Sequence, residues 1–181
     1  MNTAIQEKYI KAWNFASLVH NGQVVPGTEL PYINHIGNVA MEVMSAITQS
    51  TTINAPELLV QCALLHDVIE DTESNYDNIV DLFGTDVADG VLALSKNKSL
   101  PSKVAQMQDS LARIKKQPKE VWMVKLADRI TNLQPPPAHW NKEKIAKYQN
   151  EAILILSSLG EANPYLAARL ERKITEYQQY L

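Results

Sequence analysis

Residues 63–72 read ALLHDVIEDT. An apolar run that begins near Leu58 ends at Ala63-Leu64-Leu65, and His66, Asp67, Glu70 and Asp71 follow within six positions. On a helix, residues four apart share a face, so His66 stands beside Glu70 and Asp67 beside Asp71. Ionised groups continuing a buried segment need partners or a metal, because leaving them unpaired in a core is strongly unfavourable. A helix end emerging into solvent would simply hydrate them. Acids at a helix C-terminus also face its negative dipole, which is unfavourable without a nearby cation.

Outward from this stretch the dominant period is helical. Ile5, Tyr9, Ala12, Ala16 and Val19 mark one face of a first helix, and the loop HNGQVVPGTELP follows with two glycines and two prolines. A second helix is predicted from about Asn34 to Thr48. Asn54 is the expected N-cap of a third, with Pro56 in its first turn. That third helix is expected to run on through HDVIED. NYDNIVDLFG reads as a short helix stopped by Gly84, and DVADGVLALSK as another. SKVAQMQDSLARIKKQ and PKEVWMVKLADRITNL are further helices, and QPPPAHW must be extended or turning. Ile145, Tyr148, Ala152, Ile155 and Leu159 define a long amphipathic helix. Asn163-Pro164 opens the last, with Leu166, Leu170, Ile174, Tyr177 and Leu181 on its inner face. No period-two strand, repeat or low-complexity segment stands out. The expected fold is all-α, one helical bundle over residues 1–181.

Bulk properties narrow the function. A net charge of −3 gives no general attraction to nucleic acid or anionic membrane. No apolar run approaches the roughly 20 residues that span a bilayer. The N-terminus lacks the basic and apolar regions of a secretory signal. The single Cys62 cannot form an internal disulfide and sits among apolar residues, which suits a buried thiol in a reducing cytoplasm. The amphipathic helices are all explained by one core and give no argument for a dimer.

Two further places join the opening stretch. PYINHIGNVAMEV sets His35 at the start of a largely apolar helix, and VWMVKLADRITNL sets Asp128 on a face with Val121 and Val124. Singly, His35 reads as a structural histidine, and Asp128 as the partner of Arg129 or another base. Together His35, His66, Asp67 and Asp128 offer two imidazoles and two carboxylates, a mixed set suited to Mn²⁺, Fe²⁺ or Zn²⁺.

With HNGQ, PYINH, ALLHDVIEDT, FG and VKLADRITNL in this order, the chain resembles the HD-domain phosphohydrolases, and among them the hydrolase domain of Rel/SpoT-type alarmone enzymes and their stand-alone small relatives. The matching pieces span about residues 20–133, and the helical tail 141–181 is compatible with the stand-alone members. No synthetase segment is expected after Leu181. The resemblance implies a single HD-domain helical bundle. His35, His66, Asp67 and Asp128 become the metal ligands, usually for Mn²⁺. Glu70 and Asp71 match the acidic pair that positions or activates the hydrolytic water. Tyr32 and Asn132 match nucleoside-contacting positions. Lys98, Lys144 and Tyr148 resemble phosphate- and nucleotide-contacting positions. The implied reaction is hydrolysis of a nucleotide's 3′-pyrophosphate, as in (p)ppGpp.

The pattern also departs from the family. An Arg-Lys pair commonly follows GQ, and its arginine stacks on guanine; Val24-Val25-Pro26 stands here instead. Val25 can pack on a base but supplies neither cation–π attraction nor a fork of donors. Gln134 and Pro135 likewise replace a frequent arginine and threonine. The resemblance therefore leaves (p)ppApp as a candidate beside (p)ppGpp, with the 2′-phosphate of NADPH as an alternative. A non-catalytic nucleotide sensor would be expected to lose a ligand or the acidic pair, and neither is lost.

Overall fold

The computed structural model describes residues 3–181, and among them the regular structure is helical. In order come α1 (Thr3–Val19), α2 (Ile33–Gln49), α3 (Pro56–Leu65), α4 (Val68–Asp71), α5 (Tyr76–Phe83), α6 (Thr85–Leu94), α7 (Lys103–Ile114), α8 (Lys119–Asn132), α9 (Lys142–Leu159) and α10 (Pro164–Tyr177). A lone antiparallel bridge, Val24 to Pro31, pinches the loop after α1.

α3 is the axis of the bundle. Leu59 through Leu65 are all buried, and α1, α2, α6 and α8 pack around them. A helix with no solvated face reads as a continuous apolar run rather than an amphipathic one, which is how Leu58–Leu65 reads. α8 lies alongside α2, α3, α9 and α10 and is buried from Val121 to Ile130 apart from Trp122. Gly90 of α6 permits close approach to α3: a Cβ there would meet Cys62 Sγ at 2.7 Å.

Local signals set most boundaries. Asn75 and Asn78 form a reciprocal cap on α5, and Gly84, at φ 89, separates α5 from α6. Ser102, Asn141 and Asn163 each accept a main-chain N–H at the start of α7, α9 and α10.

Three expectations are corrected. Asn54 does not cap α3; the cap position is Ala55, and Glu120 Oε1 of α8 accepts the Asn54 and Ala55 N–H groups at 2.9 Å each. A carboxylate from across the bundle does what a local side chain was expected to do. The helix expected to run through HDVIED is two, interrupted at His66-Asp67. There the His66 Nδ1–H donates to the Ala63 carbonyl at 2.9 Å, competing with the main-chain bond that would carry the helix through. Leu181 lies beyond α10 and is 41 % exposed, since α10 ends at Tyr177 and a 3-10 turn redirects the chain.

Candidate metal centre and substrate cavity

The break between α3 and α4 places the chemistry. His66 and Asp67 occupy it, His35 projects from the first turn of α2, and Asp128 comes from the third turn of α8. His35 Nε2 and His66 Nε2 lie 3.3 Å apart. Asp67 Oδ2 is 2.9 Å from His66 Nε2 and 3.7 Å from His35 Nε2, and Asp128 Oδ1 is 3.4 Å from His35 Nε2 and 3.8 Å from His66 Nε2. Three of these groups, His35, His66 and Asp128, each bring a ligand atom within 4.8 Å of the others, and all three are buried.

This donor set fits a divalent cation. With Nδ1–H committed to the Ala63 carbonyl, His66 turns Nε2 toward the cluster, the arrangement usual for a metal-binding imidazole. His35, His66 and Asp128 bring their ligand atoms together in a buried place, with Asp67 Oδ2 against both imidazoles, a mixed nitrogen and oxygen donor set that suits a divalent ion. Burial opposes ionisation of Asp67, yet the adjoining His66 holds its carboxyl well below the usual range. Asp128 is likewise held low against burial, chiefly by Lys125. Burial alone would lower His66, but Asp67 and Asp128 push it up to about 9.

Neighbours fix each carboxylate. Lys125 Nζ lies 2.9 Å from Asp128 Oδ2, and Asn132 donates to Asp128 Oδ1; both come from α8, three and four residues away. The Tyr32 hydroxyl donates to Asp67 Oδ2, and burial together with that carboxylate drives the phenol pKa strongly upward. Tyr32 and Asn132, expected at nucleoside contacts, thus orient carboxylates of the cluster while also lining the cavity. Asp128 does not pair with Arg129. The Arg129 guanidinium sits 4.4 Å over the Tyr148 ring and reaches Glu151 at 3.2 Å, which leaves Lys125 as the base at Asp128.

Glu70 and Asp71 stand one turn on, held by the loop between α6 and α7. The Lys96 main-chain N–H donates to Glu70 Oε2 at 2.8 Å, and Lys96 Nζ is 3.3 Å from Oε1. Lys98 Nζ donates to the Glu70 carbonyl at 2.7 Å and lies 3.3 Å from Asp71 Oδ1. Burial, with Asp67 and Glu70 nearby, raises the Asp71 carboxyl above its ordinary value despite Lys98.

Asp67, Asp128 and the acidic pair open into a cavity of about 790 Å³. Its walls also carry Tyr32, Asn132, Lys98, Lys144 and Tyr148, so the structure gathers these expected residues around one space. His35 and His66 lie behind the wall. Val25 is partly buried and is not among the lining residues. Sequence reading passed over Lys96, Lys103, Arg129, Lys147 and Trp140, which also line it. Lys96 and Lys98 stand side by side in SKNK, and only one was singled out. Trp140 packs edge-on against Tyr148 and carries Lys144 Nζ 4.2 Å over its ring, so it forms wall as well as core. The cavity is thus lysine-rich in a chain of net charge −3.

A family model of the HD domain matches residues 12–165. The chain belongs to the HD-domain family. Within it, the similarity is to stand-alone metazoan SpoT homologues. A Drosophila melanogaster protein named guanosine-3′,5′-bis(diphosphate) 3′-pyrophosphohydrolase MESH1 is 29 % identical over 178 residues, covering 94 % of this chain and 95 % of that one. The Xenopus tropicalis protein of the same name is 30 % identical over 169 residues, with 90 % of each chain covered. A solved structure described as a metazoan ortholog of SpoT that hydrolyzes ppGpp superposes with a TM-score of 0.80 at 28 % identity, over 93 % of this chain and 94 % of that one. An HD domain implies divalent metal binding, and the His35–His66–Asp128 cluster is where this chain offers it. No helix among the described residues is long and apolar enough to cross a membrane.

Proposed function

We propose that the chain is a metal-dependent pyrophosphohydrolase acting on the 3′-pyrophosphate of (p)ppGpp or (p)ppApp, with residues 1–181 forming one HD hydrolase domain. Its relatives' names supply the reaction. The observation that carries the reading to this chain is the convergence of His35, His66, Asp67 and Asp128 beside Glu70 and Asp71 at the end of a lysine-lined cavity. The motif core, about 20–133, holds the metal and water machinery. The C-terminal helices, 141–181, close the far wall with Lys144 and Tyr148.

In this reading His35, His66, Asp67 and Asp128 hold Mn²⁺, with Zn²⁺ or Fe²⁺ as alternatives that the same donors accept. When bound there, such an ion would supply Lewis-acid polarisation of a phosphoryl oxygen and a water of lowered pKa. Tyr32 and Asn132 keep the ligand carboxylates turned inward. Glu70 or Asp71 takes a proton from the attacking water at a carboxylate oxygen, and the raised Asp71 carboxyl suits it to that transfer. Water adds to the phosphorus next to the ribose 3′-oxygen, the bond from that phosphorus to the 3′-oxygen breaks, the 3′-oxygen takes up a proton as it leaves, and pyrophosphate departs from a nucleoside 5′-diphosphate or 5′-triphosphate. Lys96, Lys98 and Lys144 offset the phosphate charge. The cytoplasmic setting suggested by the lone Cys62 belongs to this proposal; that thiol is buried and free.

A second substrate class follows from Val25. It leaves the cavity without an arginine from the α1–α2 loop, and the aromatic surfaces in its wall, Tyr32, Trp140 and Tyr148, can stack on either purine. Incubation of the Mn²⁺-loaded protein with ppGpp, ppApp and NADPH separately, with Asp128→Ala alongside, tests the proposal. Pyrophosphate release from either alarmone that is lost in the variant supports it, and the ratio of the two rates gives base preference. Phosphate release from NADPH alone would keep the metal site and move the substrate. Mn²⁺ binding without turnover of any of the three would overturn the proposal and revive the reading as a non-catalytic nucleotide sensor.

A further inference from the structure

The HNGQ segment, residues 20–23, neither joins the metal cluster nor lines the cavity, yet it reaches the elements that build both. His20 is 2 % exposed. Its Nδ1 lies 2.8 Å from Gln23 Oε1, and Gln23 Nε2 donates to the Asp71 carbonyl at 2.7 Å. A carbonyl only accepts, so the Gln23 amide must turn its NH₂ to Asp71 and its oxygen to His20. His20 Nδ1 must then carry the proton, which leaves Nε2 as a bare acceptor. That nitrogen is buried without a hydrogen-bond partner, so the ring's orientation is set from the Nδ1 side.

The same segment backs the other arm of the site. The Gln23 carbonyl accepts the Tyr32 N–H at 2.9 Å, and the His20 and Tyr32 rings lie 5.0 Å apart. The Tyr32 hydroxyl in turn holds Asp67. One buried histidine therefore stands behind the amide that grips Asp71 and the phenol that grips Asp67.

α4 needs such support. It is a single turn of four residues, too short to be stable as a helix by itself, and its last carbonyls have no partners within it. Lys98 takes the Glu70 carbonyl and Gln23 takes the Asp71 carbonyl. Lys98 is an exposed cation in the cavity wall, free to respond to a phosphate, whereas Gln23 is neutral and its grip does not depend on substrate charge.

We propose that HNGQ is a positioning device in which His20, held as the Nδ1–H tautomer, orients the Gln23 amide, which fixes the end of α4 and with it the directions of Glu70 and Asp71. Gln23 and His20 are positioning residues. The inference rests on the hydrolase reading above and deepens it.

The test uses the full chain loaded with Mn²⁺, comparing wild type with Gln23→Met, which removes both amide bonds at similar length, and Gln23→Glu, which sets an anion against the Asp71 carbonyl. Misdirection of a catalytic pair by about 1 Å lowers kcat by tenfold or more, to roughly a hundredfold. The expected result is that loss with KM and Mn²⁺ stoichiometry unchanged, in assays run well below a Tm that falls only by what two lost hydrogen bonds account for. Amide exchange in residues 67–72 should quicken by about tenfold in the variants while that of α8 stays constant. Imidazole ¹⁵N spectra of wild type should show the His20 proton on Nδ1. Wild-type kcat with unchanged exchange at 67–72 would overturn the inference, as would a His20 proton on Nε2. A fall in kcat that merely tracks lost Tm or metal would overturn it too. If wild type itself releases no pyrophosphate, the hydrolase reading fails, and the exchange and NMR measurements still decide whether HNGQ holds α4.

Discussion

Replacing Glu70 by glutamine separates the acidic pair from the metal. Glutamine has the same shape, and its oxygen can still accept the Lys96 main-chain N–H now held at 2.8 Å. What disappears is the carboxylate charge, 3.3 Å from Lys96 Nζ. The Lys96 side chain is 40 % exposed, so the lost ion pair costs only about 0.2–1 kcal/mol of stability. None of His35, His66, Asp67 or Asp128 changes, so Mn²⁺ occupancy should be retained. A missing proton acceptor is a different order of loss: positioned general bases contribute about 10²–10⁴-fold, or about 3–5 kcal/mol of barrier. Pyrophosphate release by anion-exchange chromatography, run beside metal analysis and thermal denaturation, should show Tm and metal content near wild type and kcat down by that factor. Turnover within about threefold of wild type, far short of a lost general base, would remove Glu70 from the proton transfer and leave Asp71 to carry it alone. Loss of Mn²⁺ would mean that Glu70 belongs to the ligand set.

Three further outcomes follow from the geometry. Because His66 is pushed up to about 9, its protonated form adds stability below its ordinary value near 6.5, and that contribution is lost as pH rises through about 9. Metal competes with this proton, so Mn²⁺ affinity should climb between those pH values with release of about one proton at neutral pH; calorimetry in buffers of different ionisation enthalpy that finds no release would refute it. Glu120→Ala should cost about 1.5–3 kcal/mol in chemical denaturation, because it strips the acceptor from two N–H groups at the start of α3; a change within experimental error would show that water replaces the carboxylate. Gly90→Ala should cost about 1–3 kcal/mol, since the added methyl meets Cys62 Sγ at 2.7 Å in a buried contact; an unchanged Tm would show that α6 can slide away from α3.

Much of this protein is written in short-range pattern. The helical periods over 3–19, 142–159 and 164–177, the caps at Asn141 and Asn163, and the stop at Gly84 are local physics, in which side-chain spacing and backbone freedom decide the outcome without distant partners. The buried cluster was legible only in part. Histidines and aspartates embedded in apolar runs need partners, but singly they read as structural groups, and it was the family resemblance that joined His35, His66, Asp67 and Asp128 into one ligand set. Pattern could not show what crosses the bundle. Glu120 serves α3 from 65 residues away, and Arg169 clasps the buried Glu42 across 127. Gln23 reaches Asp71 across 48, and Lys96 and Lys98 grip the acidic pair from a loop that reads as ordinary solvated lysines. Even the break at His66 depends on its ring finding the Ala63 carbonyl while Nε2 meets His35 of α2, the adjoining Asp67 and Asp128 of α8. Sequence alone determined which residues must be buried and which buried ones must be charged, because those costs are local. Which charge answers which, and that Trp140 rather than Val25 lines the cavity, was decided only when packing brought distant segments into contact.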